Sequence, residues 1–149
     1  MSEFRLLKLM KTNVVGPMLC AKHALQRMST RHGGPGGAIV NVSSVAARLG
    51  SPNEYVDYAA SKGALDTFTV GLAKEVAGEG VRVNGVRPGY IFTDFHALSG
   101  DAERVRKLEP GIPMGRGGQA AEVAEAILWL LSDKASYTTG SFIDLGGGR

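Results

Sequence analysis

At 149 residues and 44% hydrophobic composition, the chain is long enough to bury the core of one ordinary domain and too short for two. Seventeen Lys and Arg against fourteen Asp and Glu leave a net charge of +3 without a basic block, which argues against a nucleic-acid surface. No apolar stretch reaches membrane-spanning length, Met1 opens onto Ser2-Glu3-Phe4-Arg5, and a single cysteine excludes an internal disulfide, so the composition predicts a cytoplasmic protein in a reducing compartment.

In chain order, Phe4, Leu7, Met10, Val14, Met18, Ala21, Leu25 and Met28 recur at steps of three and four and predict an amphipathic helix over 3–28. Cys20 falls inside it and is expected to pack as a small hydrophobe. Pro17 has no N–H to offer the carbonyl of Asn13, so a kink with a free Asn13 carbonyl is expected there. HGGPGG ends the helix, and 38–42 is a short, mostly β-branched run that predicts a strand covered on both faces. A second helix is expected over 57–77 from Leu65, Phe68, Leu72 and Val76, stopped by Gly78 and Gly80. A strand over 81–86, broken by Pro88-Gly89, a helix over 121–131 and a last strand over 141–145 complete the pattern. Strands separated by helices imply an α/β fold with a parallel sheet and right-handed crossovers. In such sheets ligands gather beyond the carboxyl ends of the strands, which is where Ser44, Gly89 and Gly146 fall.

Tyr58 and Lys62 stand four apart in YAASK, on one face of the second predicted helix, where phenol and ammonium can act as one unit. A free tyrosine titrates near ~10, so sharing its proton at neutral pH calls for a lowered pKa, which the ammonium is expected to supply. AIVNVSS at 38–44, YAASKGAL at 58–65, VRVNGVRPGYIFT at 81–93, Asn13 in TNVVGPML and the tail LLSDKASYTTGSFIDLGGG occur together in this order. Along its whole length the chain therefore resembles the short-chain dehydrogenase/reductase family.

The resemblance implies the C-terminal part of a doubly wound, Rossmann-like parallel sheet. It also implies hydride transfer between NAD or NADP and a small-molecule alcohol or carbonyl, with Tyr58 as general acid/base. Lys62 matches the lysine that meets the nicotinamide ribose, and Ser44 the serine that holds the substrate oxygen; of Ser43 and Ser44 the second fits better. The spacing from Ser44 to Tyr58 is one residue longer than the commonest family pattern. Asn13 matches the asparagine whose main-chain carbonyl holds a water leading to the lysine. Pro88, Gly89, Ile91 and Thr93 match the turn over the nicotinamide. The polar segment 94–113 suits a lid over substrate, with Phe95, His96 and Leu98 as lining candidates. His23 and His32 have no partners at metal-ligand spacing.

The family's phosphate-binding glycine turn follows a first strand that would precede Met1, so the expected unit is a single partial domain, 1–149, lacking the half that distinguishes NAD from NADP. Gly115 to Ala120 spells GxGxxA but follows Pro113-Met114 instead of a strand, and GGPGG at 33–37 enters a strand; neither is read as a phosphate site. Strand 38–42 is then expected to pair on one side only, cofactor binding by these residues alone to be weak, and self-association or completion by the missing half to follow. The competing reading is a truncated, non-catalytic remnant that acts only through association, by helices 3–28 and 57–77.

Overall fold

The computed structural model describes residues 1–94, 101 and 103–149. The first helix runs without a break from Glu3 to Met28, but in three pieces: α1 (Glu3–Met10), a π-helical turn (Lys11–Val15) and α2 (Gly16–Met28). Ser2 starts it, its hydroxyl accepting from the Arg5 N–H. The π turn stands where a kink was expected. The helix widens before Pro17 so that the Gly16 N–H donates to the Lys11 carbonyl five residues back. Cys20 is exposed, a correction to the expected packing: only Ala21 of α2 is fully buried, because this helix meets the rest of the protein along a narrow stripe.

Strands β1 (Gly37–Val42), β2 (Val81–Pro88) and β5 (Phe142–Leu145) form a parallel sheet in the order β1-β2-β5. Gly37 pairs with Val81 and Val42 with Val86, while Gly85 pairs with Phe142 and Pro88 with Leu145. The central position of β2 explains why Val81, Val83, Asn84 and Val86 are all fully buried, a continuous pattern instead of an alternating one. Successive side chains of β2 point to opposite faces. Val81 and Val83 pack with Ala21 of α2 and Leu72, Ala73 and Val76 of α4 (Val56–Val76). Arg82 and Asn84 point the other way: Arg82 donates to the Leu130 carbonyl at the end of helix α6 (Ala120–Leu131), and Asn84 to the Thr138 carbonyl. Helices thus cover both faces, as in a doubly wound sheet, and β1 is an edge that pairs with β2 alone among the described residues.

Four short elements were not expected: helix α3 (Ala46–Leu49), strand β3 (Ile91–Phe92), helix α5 (Arg104–Leu108) and strand β4 (Gly118–Gln119), which pairs with β3. Each is too short to carry a hydrophobic period. Part of the predicted lid is therefore packed structure, with Val105 of α5 1% exposed; Phe95, His96 and Leu98 lie outside the described residues. The glycines at 117 and 118 serve this packing. A Cβ on Gly117 would stand 2.3 Å from Val105 Cγ1 and 2.8 Å from Phe92 Cε2, and one on Gly118 2.6 Å from Ile91 Cδ1. Arg116 pairs with Glu122, and Gln119 and Glu122 close a capping box at the start of α6, so this GxGxxA is a helix start against β3.

Candidate active site

Beyond the carboxyl ends of the three strands the chain bends into one rim. After β1 the backbone keeps contact with β2, the Ser43 N–H donating to the Val86 carbonyl and the Val45 N–H to the Pro88 carbonyl. This fixes Ser44 above β2. Its hydroxyl accepts from the Ala46 N–H at 3.1 Å, opening α3, and lies 3.5 Å from the Pro88 carbonyl. Ser43 is buried and donates to the Lys62 carbonyl at 3.3 Å, so of the two serines Ser44 is the one at the rim.

Tyr58 sits in the first turn of α4. That turn is anchored from the other side by Arg5 of α1, whose Nε and Nη2 donate to Asp57 at 2.5 and 3.2 Å. The hydrogen bond from Arg5 holds the Asp57 carboxyl below its usual range, and Asp57 also accepts from the Tyr58 N–H at 2.8 Å. Asn13, in the π turn, donates from Nδ2 to Ser61 Oγ at 3.0 Å, and Ser61 in turn donates to the Tyr58 carbonyl at 2.7 Å. The Asn13 side chain therefore braces the helix between Tyr58 and Lys62.

Lys62 follows one turn after Tyr58. Its Nζ donates to the Val42 carbonyl at 2.9 Å, at the last residue of β1, and lies 5.7 Å from the centre of the Tyr58 ring. Burial pushes the Lys62 ammonium below its ordinary value, with Asp66 one turn further on working against that. Burial also pushes the Tyr58 phenol up, against a smaller lowering from the Ser44 hydroxyl. The net direction is therefore the reverse of the expected lowering of the phenol. The cleft removes water from the would-be phenolate, and that cost outweighs the lowering.

The turn after β2 closes the rim. The Gly89 N–H donates to the Leu145 carbonyl at 3.0 Å, and a Cβ on Gly89 would come within 2.9 Å of Gly146 Cα. Only glycine lets the two strand ends meet this closely. Pro88 is half-buried and Thr93 exposed, whereas Ile91 turns inward against Gly118 and is 9% exposed, so Ile91 offers a ligand its main chain only.

Sequence reasoning missed a second layer around this rim. Arg104 of α5 stands 5.4 Å from the Tyr55 ring centre and 6.0 Å from that of Tyr90, and pairs with Glu54 at 2.9 Å; Arg149 lies 4.4 Å from the Tyr90 ring centre. The paired residues are 14 to 59 apart in sequence and follow no period, so no local pattern joins them.

The site is a serine, a tyrosine and a lysine gathered at the carboxyl rim of a parallel sheet, and the family profile described as Enoyl-(Acyl carrier protein) reductase matches residues 1–149. The chain belongs to the short-chain dehydrogenase/reductase family. It is 64% identical over 145 residues to the Escherichia coli (strain K12) protein named Uncharacterized oxidoreductase YgfF, an alignment that takes in 97% of this chain and 59% of that one. A crystal structure of a short-chain type dehydrogenase/reductase from Mycobacterium marinum superposes with a TM-score of 0.90 at 35% identity, over 99% of this chain and 57% of that one. A structure of an ElxO variant with NADPH bound superposes with a TM-score of 0.87 at 29% identity, over 99% of this chain and 59% of that one. The chain thus spans a little under three fifths of the length of these relatives. Among the described residues, no helix is long and apolar enough to cross a membrane, and no group of His, Cys, Asp and Glu is arranged to hold a metal ion.

Proposed function

We propose that residues 1–149 form the catalytic half of one short-chain dehydrogenase/reductase domain, in an oxidoreductase acting on a small-molecule alcohol or carbonyl with NAD or NADP. One observation carries the reading: Lys62, one turn along α4, stands 5.7 Å from the centre of the Tyr58 ring, at the rim where the Ser44 hydroxyl opens α3. NADPH appears in the ElxO structure that this chain resembles. The residues here suit the nicotinamide end of such a cofactor, because the Gly89–Gly146 contact leaves bare backbone at the rim and Thr93 stands exposed beside it.

Pro88, Gly89, the main chain of Ile91, and Thr93 would hold the carboxamide end, and Lys62 the neighbouring ribose. The bound nicotinamide supplies or accepts the hydride. Ser44 donates to the substrate oxygen and orients it toward Tyr58. In reduction, the Tyr58 O–H bond breaks and a new O–H bond forms on the substrate oxygen as the carbonyl becomes an alcohol. The phenolate left behind is stabilised by Ser44 and by the Lys62 charge, then regains a proton. Oxidation runs the same transfers in reverse. Asn13 braces the helix through Ser61 and places the π turn beside Lys62.

The test is an assay of a complete short-chain dehydrogenase/reductase domain containing residues 1–149, with NADH, NADPH and their oxidised forms against a panel of aldehydes, ketones and alcohols, read by the absorbance of the reduced nicotinamide. Turnover that depends on one of the pair is expected; its complete absence over the panel would remove the enzyme reading and leave the association-only alternative. The long first helix bears on that alternative. Phe4, Leu7, Met10, Met18 and Leu19 are exposed along it, an apolar stripe of the kind that associates. A homo-oligomer is the expected state, checked by light scattering after size exclusion over a range of concentrations, and a concentration-independent monomer would refute it.

A further inference from the structure

One turn after Lys62 on α4 lies half of an ion pair that the catalytic reading does not use. Asp66, four residues after Lys62 on the same face of α4, accepts from Arg87 Nε at 2.8 Å. Both side chains are largely buried, 13% and 18% exposed. Arg87 is the residue before Pro88-Gly89, and its guanidinium lies 3.8 Å from the centre of the Phe142 ring of β5. It also reaches Asp144 at 3.4 Å, which in turn pairs with Arg48 of α3. The pair therefore joins the catalytic helix to the turn that closes the rim. One oxygen, Asp66 Oδ1, is buried without a hydrogen-bond partner among the described residues. A buried carboxylate oxygen left unpaired is costly, and its charge is poorly screened from its neighbours.

We propose that Asp66 and Arg87 act as a positioning pair: the carboxylate holds the charge of Lys62 while the guanidinium balances that carboxylate and ties the Pro88–Gly89 turn to α4. The inference rests on the role of Lys62 in the proposed function. The charged and titratable groups that bear on Lys62 are Tyr58 and Asp66 on its own helix and, through Asp66, Arg87 on β2. From β1 it meets the Val42 carbonyl, and the nearest part of the π turn is the neutral Asn13 braced on Ser61.

A pair of this kind has a signature that a packing role lacks, because its two halves push Lys62 in opposite directions. Asp66→Asn removes the carboxylate and is expected to move the Lys62 titration to lower pH. Arg87→Gln leaves the carboxylate unbalanced and is expected to move it to higher pH, with the double variant between the two. The measurement is NMR titration of the ε-carbon of Lys62 in lysine-labelled protein, with the signal assigned by its loss in Lys62→Arg. Shifts of opposite sign support the pair; no shift, or shifts of one sign in both variants, overturns it. If Arg87→Gln does not fold, Arg87→Lys keeps the charge and is expected to leave the midpoint in place, and a displaced midpoint there overturns the pair as well. Lys62 titration is read without turnover, so an inactive protein would remove the functional reading while this result still decided the pair.

Discussion

In a complete domain containing residues 1–149, Tyr58→Phe is expected to lower turnover by about 10³–10⁴, the upper part of the range for losing a positioned acid/base, while leaving cofactor affinity unchanged. The substitution removes one hydroxyl and keeps the ring over which Lys62 lies, so α4 and its contacts with Asp57 and Ser61 are preserved. Ser44→Ala is expected to cost less, about 10²–10³, because it removes an orienting hydrogen bond and not the proton. Paired measurements of kcat and of cofactor Kd decide the matter: near-normal turnover in Tyr58→Phe would assign the proton to another group. The raised phenol adds a pH signature. Carbonyl reduction needs the neutral phenol and alcohol oxidation the phenolate, so oxidation is expected to keep rising through the pH at which a free tyrosine titrates, and reduction to hold its rate over the same range.

What the sequence made legible was whatever a local period or a short motif encodes. The three main strands and the helices at 3–28, 57–77 and 121–131 came from runs of apolar residues, and the structure moves their ends by only a few positions. Ser44, Tyr58 and Lys62 were candidates through the resemblance carried by AIVNVSS and YAASKGAL, and the fold brings Lys62 beside the Tyr58 ring. The π turn was half-legible: Pro17 announced a break in the hydrogen-bond ladder, but whether a helix kinks or widens depends on what it packs against, here α4 through the Asn13–Ser61 bond. Arg5–Asp57 and Asp66–Arg87 were invisible because each pair joins residues 52 and 21 apart, respectively, across different elements. The direction of the Tyr58 shift was misread for a related reason. Proximity of an ammonium can be counted along a helix, whereas burial of a phenol is a property of the folded cleft, and here burial outweighs its neighbours.

Lys62→Ala is expected to weaken both cofactor affinity and turnover, the latter by about 10²–10⁴, in contrast to the selective loss in Tyr58→Phe. The ammonium bridges the edge of β1 and the helix that carries Tyr58, so its removal takes away the donor expected to meet the ribose and the positive charge that stabilises the phenolate. A variant that loses turnover yet binds cofactor as before would confine Lys62 to the proton step. Stability supplies a second check, with a sign that follows from burial. Lys62 in the folded protein titrates below an ordinary lysine, so between those two values the unfolded chain holds the extra proton and its contribution to stability rises with pH. Tyr58 titrates above an ordinary tyrosine, so its contribution is complete below the ordinary value and is lost as pH climbs through the folded one. The two slopes oppose each other in the alkaline range. Lys62→Ala removes the rising one and leaves the falling one, so its Tm should lose ground to that of the wild type as pH is raised toward the ordinary lysine value. Parallel Tm-against-pH curves for the two proteins would mean that Lys62 enters the fold charged at no cost, and that the cleft does not oppose its ammonium.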